Sequence, residues 1–337
     1  MERYLVTGAA GFLGLHVCRA LLARGERVRG VDSITDSADP ELAWRRLASL
    51  EGVLDFRQVD VAEPDQVETT FAALRPTVVI HLAGLAGVRA SQHAPLAYGR
   101  SNLAGFLSVL EACRQHGVGH LVYASSSSVY GAGARPPFRE DAVLGEPTSV
   151  YAATKQAAEL LAATYSATYG LPTTGLRLFT AYGPWGRPDM AYFRFAAAIA
   201  SDAAVEVYGD GSALRDFTYV DDVVDASLAV AALPGPAAAP RQVYNVGRGE
   251  QVSVRELIAA LELRLGRRAQ VVSLPEQPGD LPATLADVSA LRARTGFAPS
   301  IPFAEGITRF AAWLRTSSGA LRPGVAPELS GGSGAGG

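Results

Sequence analysis

Six short apolar runs alternate with helical patterns along the first half of the chain, and this rhythm narrows the choice of fold more than any other feature. The runs are RYLVTG (3–8), RVRGVD (27–32), VLDFRQVD (53–60), PTVVIHLAG (76–84), HLVYASS (120–126) and PTTGLRLF (172–179). Strands buried on both faces read as apolar runs, and helices between them act as crossovers. The expected class is therefore α/β, with a Rossmann-type doubly wound parallel sheet. Helical spacing is plainest over 95–116 and 150–169. From Tyr182 the texture changes. A long loop (GPWGRPDM) precedes a helix (AYFRFAAAIA), a strand with a turn (AVEVYGDGSALRDFTYV), another helix (VRELIAALELRLG), a short strand (AQVVSLP) and a last helix (FAEGITRFAAWLR). This predicts a smaller α+β C-terminal lobe that binds substrate. The expected division is 1–181 for the Rossmann domain, with segments returning near 217–247, 182–316 mainly for the second lobe, and a disordered Gly/Ser-rich tail over 317–337.

Composition excludes several functions. The net charge is −3 and no basic block occurs, so neither nucleic acid nor an anionic membrane is an expected partner. No apolar run is long enough to span a bilayer, and the start lacks the cationic-then-apolar pattern of a secretory leader. Cys18 and Cys113 fall in amphipathic helical patterns and are expected as small buried hydrophobes, without metal-ligand spacing. No metal is expected, and the predicted setting is a reducing cytoplasm. One count is sharper. Of 30 basic residues a single one, Lys155, is lysine. A tunable ammonium at one position in an arginine-only chain marks a site.

TGAAGFLG places Gly8, Gly11 and Gly14 between the first strand and its helix. The spacing allows a tight turn, a close backbone approach to a pyrophosphate and a helix N-terminus aimed at its charge. Asp32 ends the second strand, where a carboxylate would accept ribose hydroxyls and repel a 2′-phosphate, so NAD is expected rather than NADP. Asp60 ends the third strand near the expected adenine. Leu82, Ala83 and Gly84 end the fourth, where small residues leave room for the cofactor. A single such turn would be an ordinary βα connection; a series of them along one sheet edge predicts a dinucleotide site.

YAATK sets Tyr151 and Lys155 four apart on one helical face, beside the serine block Ser125, Ser126, Ser127 and Ser128. A tyrosine ordinarily titrates near 10, too high for a base at neutral pH. A nearby ammonium and a positive nicotinamide both favour the phenolate. Tyr151 could then remove a hydroxyl proton while hydride leaves the same carbon, with a serine hydroxyl holding that oxygen. Lys155 would also hold the nicotinamide ribose.

With TGAAGFLG, YASSSSVYG, YAATK, RDFTYVDDVV and YNVG together, the chain resembles the extended short-chain dehydrogenase/reductase family of nucleotide-sugar epimerases and dehydratases, over about residues 3–316. Within it, LFTAYGPWGRPDMAYF, LAGLAGVRAS and QPGDLPATLAD are similar to the UDP-glucuronate 4-epimerases. The resemblance implies a UDP-sugar substrate, a tightly bound NAD regenerated each turnover, a transient 4-keto intermediate and a homodimer built on the helices near 95–116 and 150–169. It implies cofactor contacts from Phe12, Leu13, Val61, Asn102 and Ser125 beside those named above. Ser126 matches the catalytic serine of relatives, with Ser127 and Ser128 facing the C6 end. It further implies Thr180 and Arg187 at the sugar carboxylate, Arg215 on the phosphates, Tyr208 against uracil, Asp280 on the uridine ribose and Arg89 toward phosphate or carboxylate. Dehydratases carry an acidic pair at the serine block, and UDP-glucuronate decarboxylases usually a glutamate; this chain carries hydroxyls alone. A buried carboxylate needs a partner, best a guanidinium. A loop ion pair with Asp189 is the plainer reading of Arg187. UDP-glucose 4-epimerase and UDP-glucuronate decarboxylase remain rivals on the same fold, and an inactive NAD-binding regulator is the rival of a different class.

Overall fold

The computed structural model describes residues 2–34, 39–50, 54–233, 241–276 and 281–317. Its strands are β1 (Arg3–Thr7), β2 (Arg27–Asp32), β3 (Asp55–Gln58), β4 (Val78–His81), β5 (His120–Ser126), β6 (Thr173–Leu178), β7 (Thr180–Tyr182), β8 (Ala204–Tyr208), β9 (Leu214–Tyr219), β10 (Arg241–Val246), β11 (Gln251–Ser253) and β12 (Gln270–Leu274). Seven of them form one parallel sheet in the order β10-β6-β5-β4-β1-β2-β3. The six apolar runs read from sequence are β1 to β6. The central strands are buried, with every residue of β4 inside, while β3 on the sheet edge ends in exposed polar residues. The chain order reverses between β1 and β4, and the crevice beyond the carboxyl ends of two such strands is where a ligand fits a doubly wound sheet.

Three details differ from the sequence reading. The helical pattern over 95–116 is interrupted: a short helix Pro95–Tyr98 passes into a π-helical turn Gly99–Ala104 and then a helix Gly105–Gln115. The stretch read as a strand with a turn is two strands in two sheets. β8 pairs with β12, whereas β9 lies between β7 and β11. β10, reached by the chain after helix Val220–Ala231, is the seventh strand of the large sheet.

The second lobe is stitched by buried acids in place of a large sheet. Asp216 on β9 accepts main-chain N–H groups from Arg248, Gly249 and Ala286 at 2.8–3.0 Å. Asp222 accepts from Ser300 and Ile301 in the same way. A carboxylate held by several backbone donors fixes three separate segments at one point. No helix among the described residues is long and apolar enough to cross a membrane. The predicted tail beyond Ser317 lies outside the described residues.

Candidate active site

The glycine turn is built against the loop that follows β4. Gly8 has φ +72, a conformation glycine adopts at no steric cost, and a Cβ there would lie 2.7 Å from the Ala83 nitrogen. A Cβ on Gly14 would lie 1.9 Å from the Gly8 carbonyl oxygen. The helix Phe12–Ala23 starts from Gly11 with no side chain on its first N–H groups and no acid in its first turn. Helix Val150–Tyr169, by contrast, is capped by Ser149, which accepts from Ala152 N. An uncapped, positive helix end at the switch point suits a pyrophosphate. Asp32 accepts from Ala10 N and Ile34 N at 3.1 and 2.9 Å, so its carboxylate also orders the turn. The cradle and its chemistry fit NAD.

Several cofactor contacts expected from sequence turn out to have protein partners. Asp60 receives Arg100, which also reaches Glu63, so the carboxylate expected at the adenine already has a cationic partner. Val61 is buried, and its methyl lies where a Cβ on Gly105 would stand, 2.8 Å away. Phe12 packs edge-on to His16 at 5.7 Å between centroids, inside the core, and Leu13 packs against that core. Asn102, within the π-helical turn, accepts from Leu85 N and donates to Leu85 O and Thr154 Oγ1. Its amide holds the post-β4 loop against helix Val150–Tyr169 and has no hydrogen left for a cofactor. A widened turn of this kind re-aims one side chain without ending the helix. Leu82, Ala83 and Gly84 line the crevice, and a Cβ on Gly84 would lie 3.8 Å from the Lys155 ammonium.

The end of β5 and the start of helix Val150–Tyr169 form the reactive corner. Lys155 Nζ donates to Ala124 O at 2.9 Å and lies 5.9 Å from the centre of the Tyr151 ring. Burial lowers Lys155 to about 8. Burial raises the Tyr151 phenol above its ordinary value, against a hydrogen bond from Ser126 and the charge of Arg187, which both favour the phenolate. The Arg187 charge thus joins that of Lys155 in favouring the phenolate, while the Lys155 ammonium is itself held by Ala124 O. Ser126 Oγ accepts from both Ser128 N and Ser128 Oγ, at 3.2 and 2.9 Å, and caps the short turn Ser127–Tyr130. Ser125 differs. It is buried and its hydroxyl donates to Glu159 Oε1 at 2.6 Å, so the side chain expected at the cofactor is engaged by a protein partner.

Arg187 donates through Nε and Nη2 to Asp189 and through Nη2 to Ala86 O at 3.0 Å. Its Nη1 donates to no group among the described residues. Tyr98 bonds Ala86 O and Gly87 O and stands edge-on to Tyr151, 6.3 Å between centroids. Thr180 is half-buried on β7, opposite Phe217. Arg89 and Tyr208 meet each other, the guanidinium 4.3 Å above the ring centre, so one face of the expected uracil platform is covered by Arg89. Flat guanidinium groups stack well on aromatic faces, which accounts for this contact. Arg215 Nη1 donates to Leu214 O at 2.9 Å. Asp280 lies outside the described residues.

Sequence reasoning missed how Arg187 is carried. Four successive carbonyls of the loop before it are captured by donors: Gly183 O by Tyr192, Pro184 O by His16, and Trp185 O and Gly186 O by Arg46. Arg46 also reaches Ala10 O in the glycine turn at 3.3 Å. Burial holds His16 near 4, so it donates here as a neutral ring. It also missed Glu159, although an acid eight residues after Tyr151 on the same stripe was there to be read.

A glycine-turn parallel sheet with a Tyr–Lys–Ser corner at its switch point defines a dinucleotide-dependent oxidoreductase scaffold. Residues 4–247 match the NAD dependent epimerase/dehydratase family, and the chain belongs to that family. It is 42% identical over 326 residues to "Protein CapI" of Staphylococcus aureus, spanning 92% of this chain and 98% of the relative. It is 40% identical over 318 residues to a UDP-glucuronate 4-epimerase of Thermodesulfobacterium geofontis, spanning 94% and 97%. Among solved structures, the UDP-glucuronic acid 4-epimerase from Bacillus cereus, in complex with UDP-glucuronic acid and NAD, superposes with a TM-score of 0.86 at 32% identity, over 93% of this chain and 99% of that one.

Proposed function

We propose that the chain interconverts UDP-glucuronate and UDP-galacturonate by NAD-dependent epimerisation at C4. The observation that carries this reading is the corner itself: the Lys155 ammonium lies 5.9 Å from the centre of the Tyr151 ring, and the adjoining serine block contains no acid. Ser126 holds the sugar O4, and Tyr151 takes its proton. NAD, when bound, supplies the hydride acceptor and donor at C4. After the 4-keto sugar has turned its other face, Tyr151 returns the proton to O4. Ser127, Ser128, Thr180 and Arg187 Nη1 donate to the C6 carboxylate. Held with its C5–C6 bond near the plane of the keto group, the acid keeps its carbon dioxide, because the breaking bond overlaps poorly with the carbonyl π system. Lys155 holds the nicotinamide ribose, Arg215 the diphosphate and Asp280 the uridine ribose; uracil lies on Tyr208 beside Arg89.

Residues 1–181 with the return segment near 217–247 act as the cofactor domain and 182–316 mainly as the sugar-nucleotide lobe. Leu107, Leu160 and Tyr169 are exposed on the helices near 95–116 and 150–169 and support a homodimer through these faces. The two buried free thiols fit a cytoplasmic setting. UDP-glucose 4-epimerisation is the second reading, and the pairing of Arg187 with Asp189 is the observation in its favour.

The test is purified protein with UDP-glucuronate and no added cofactor, followed by proton NMR. UDP-galacturonate growing to a fixed ratio supports the reading. UDP-xylose or a 4-keto pentose overturns the assignment of the serines, and turnover of UDP-glucose alone favours the second reading.

A further inference from the structure

Three consecutive residues of β5 hold three residues spaced four apart on helix Val150–Tyr169. Ala124 O accepts from Lys155 Nζ at 2.9 Å, Ser126 stands beside the Tyr151 phenol, and Ser125 Oγ donates to Glu159 Oε1 at 2.6 Å. Residues at i, i+4 and i+8 share one helical stripe, so the three contacts form a single seam between strand and helix. Two of the contacts carry reactive groups. The third is carried by a carboxylate buried among protein groups.

That carboxylate is itself fixed from the other side. Arg177 stands directly opposite Ser125 on β6 and grips both Glu159 oxygens, Nε to Oε1 at 2.9 Å and Nη2 to Oε2 at 2.8 Å. Arg241 adds a longer contact at 3.4 Å. The Arg177 guanidinium also lies 4.8 Å from the centre of the Tyr130 ring. Tyr130 closes the short turn that holds Ser127 and Ser128, and its hydroxyl is bonded to Asn245 at 2.6 Å. Glu159 and Arg177 are 2% and 3% exposed, so water does not compete for these bonds.

We propose that Glu159 is a positioning residue for the reaction: by anchoring Ser125 it fixes the carbonyl that holds Lys155, the hydroxyl that meets Tyr151 and, through Arg177 and Tyr130, the turn bearing Ser127 and Ser128. The inference rests on Tyr151 and Lys155 performing the chemistry of the epimerisation. Reactive groups displaced by about 1 Å can lose a hundredfold in rate, which sets the size of the expected effect.

Two variants and two readouts test it. Ser125→Ala cuts the seam and leaves the Glu159–Arg177 pair intact; Glu159→Gln alters the anchor. Each lowers kcat about tenfold to a hundredfold with KM for UDP-glucuronate changed less than about threefold. The double variant falls no further than the weaker single one, because both remove the same device. The second readout is independent of turnover. Lys155 is the sole lysine, so protein grown with [ε-13C]lysine gives one side-chain resonance. Its titration midpoint falls below the wild-type value as the Ala124 acceptor loosens, with Tyr151 on its own helix and His81 on β4 as the titratable neighbours. An unchanged or raised midpoint together with kcat within twofold overturns the proposal and leaves Glu159 a purely structural group. If Glu159→Gln does not fold, Ser125→Ala decides by the same readouts. If the wild-type protein does not epimerise, the functional reading falls, and the midpoint alone decides the positioning role.

Discussion

The cofactor crevice and the sugar-nucleotide cleft are built by different means. The first is largely main chain: Gly8 and Gly14 leave room for backbone against backbone, and an uncapped helix presents its N–H groups. The second is an array of long side chains, and in this structure those side chains hold one another. Arg187 pairs with Asp189, Arg89 covers Tyr208, and Arg215 bonds its own strand. A backbone cradle is preorganised by the fold. A cleft lined by arginines is preorganised only as far as protein groups stand in for the anion, and the substrate must then share or displace them.

The comparison can be broken at the corner where the two regions meet. Tyr151→Phe removes the proton acceptor and should lower kcat by about a thousandfold or more while UDP-glucuronate still binds; NMR turnover and calorimetry check this together. Retained turnover would move the chemistry to Ser126. Next in size, Gly14→Ala drives a methyl into the Gly8 carbonyl at 1.9 Å, with backbone on both sides unable to yield. The protein should lose its bound NAD, read from the absorbance of the cofactor released on denaturation, and should melt several degrees lower. Arg187→Ala tests the other region. Loss of a charge-assisted hydrogen bond of about 1.5–3 kcal/mol predicts KM for UDP-glucuronate raised roughly tenfold to a hundredfold and KM for UDP-glucose little changed. Equal losses on both sugars would make Arg187 a structural partner of Asp189.

Two smaller effects sharpen the contrast. The Lys155 amine is lowered to about 8, so its charge is full below that pH and lost as pH rises through it. A kcat profile that needs the ammonium should be halved near pH 8 and about tenfold down one unit above it. Arg89→Ala should change KM by only a few-fold, since a cation–π contact of about 0.5–1 kcal/mol at an exposed site is removed and a Tyr208 face is opened. Fluorescence titration with UDP measures it.

What was legible in the sequence follows the same division. The strands from β1 to β6 announce themselves as apolar runs because a parallel sheet is buried on both faces, and the glycine turn announces itself because only its spacing permits the approach to the Ala83 loop. Tyr151 and Lys155 were read from helical spacing and the serine block from its place at a strand end, both local signals, and the resemblance then singled out Ser126. Hidden were the contacts between distant positions. Arg46 meets Trp185 across 139 positions, and nothing local tells a buried arginine from an exposed one. The contact of Arg89 with Tyr208, an aromatic ring far along the chain, left no local sign either. The π-helical turn at Asn102 was hidden too, since one widened turn shifts the helical pattern without erasing it.

The carbonyl-bound loop of Gly183–Gly186 has a consequence for anyone who would exchange lobes between relatives. Its donors His16 and Arg46 belong to the amino-terminal segment, and Arg46 touches the glycine turn as well. A chimera cut at Tyr182 would therefore import the loop that precedes Arg187 without the two side chains that hold its shape. Grafted selectivity should travel as a discontinuous module: the loop together with the positions of His16 and Arg46.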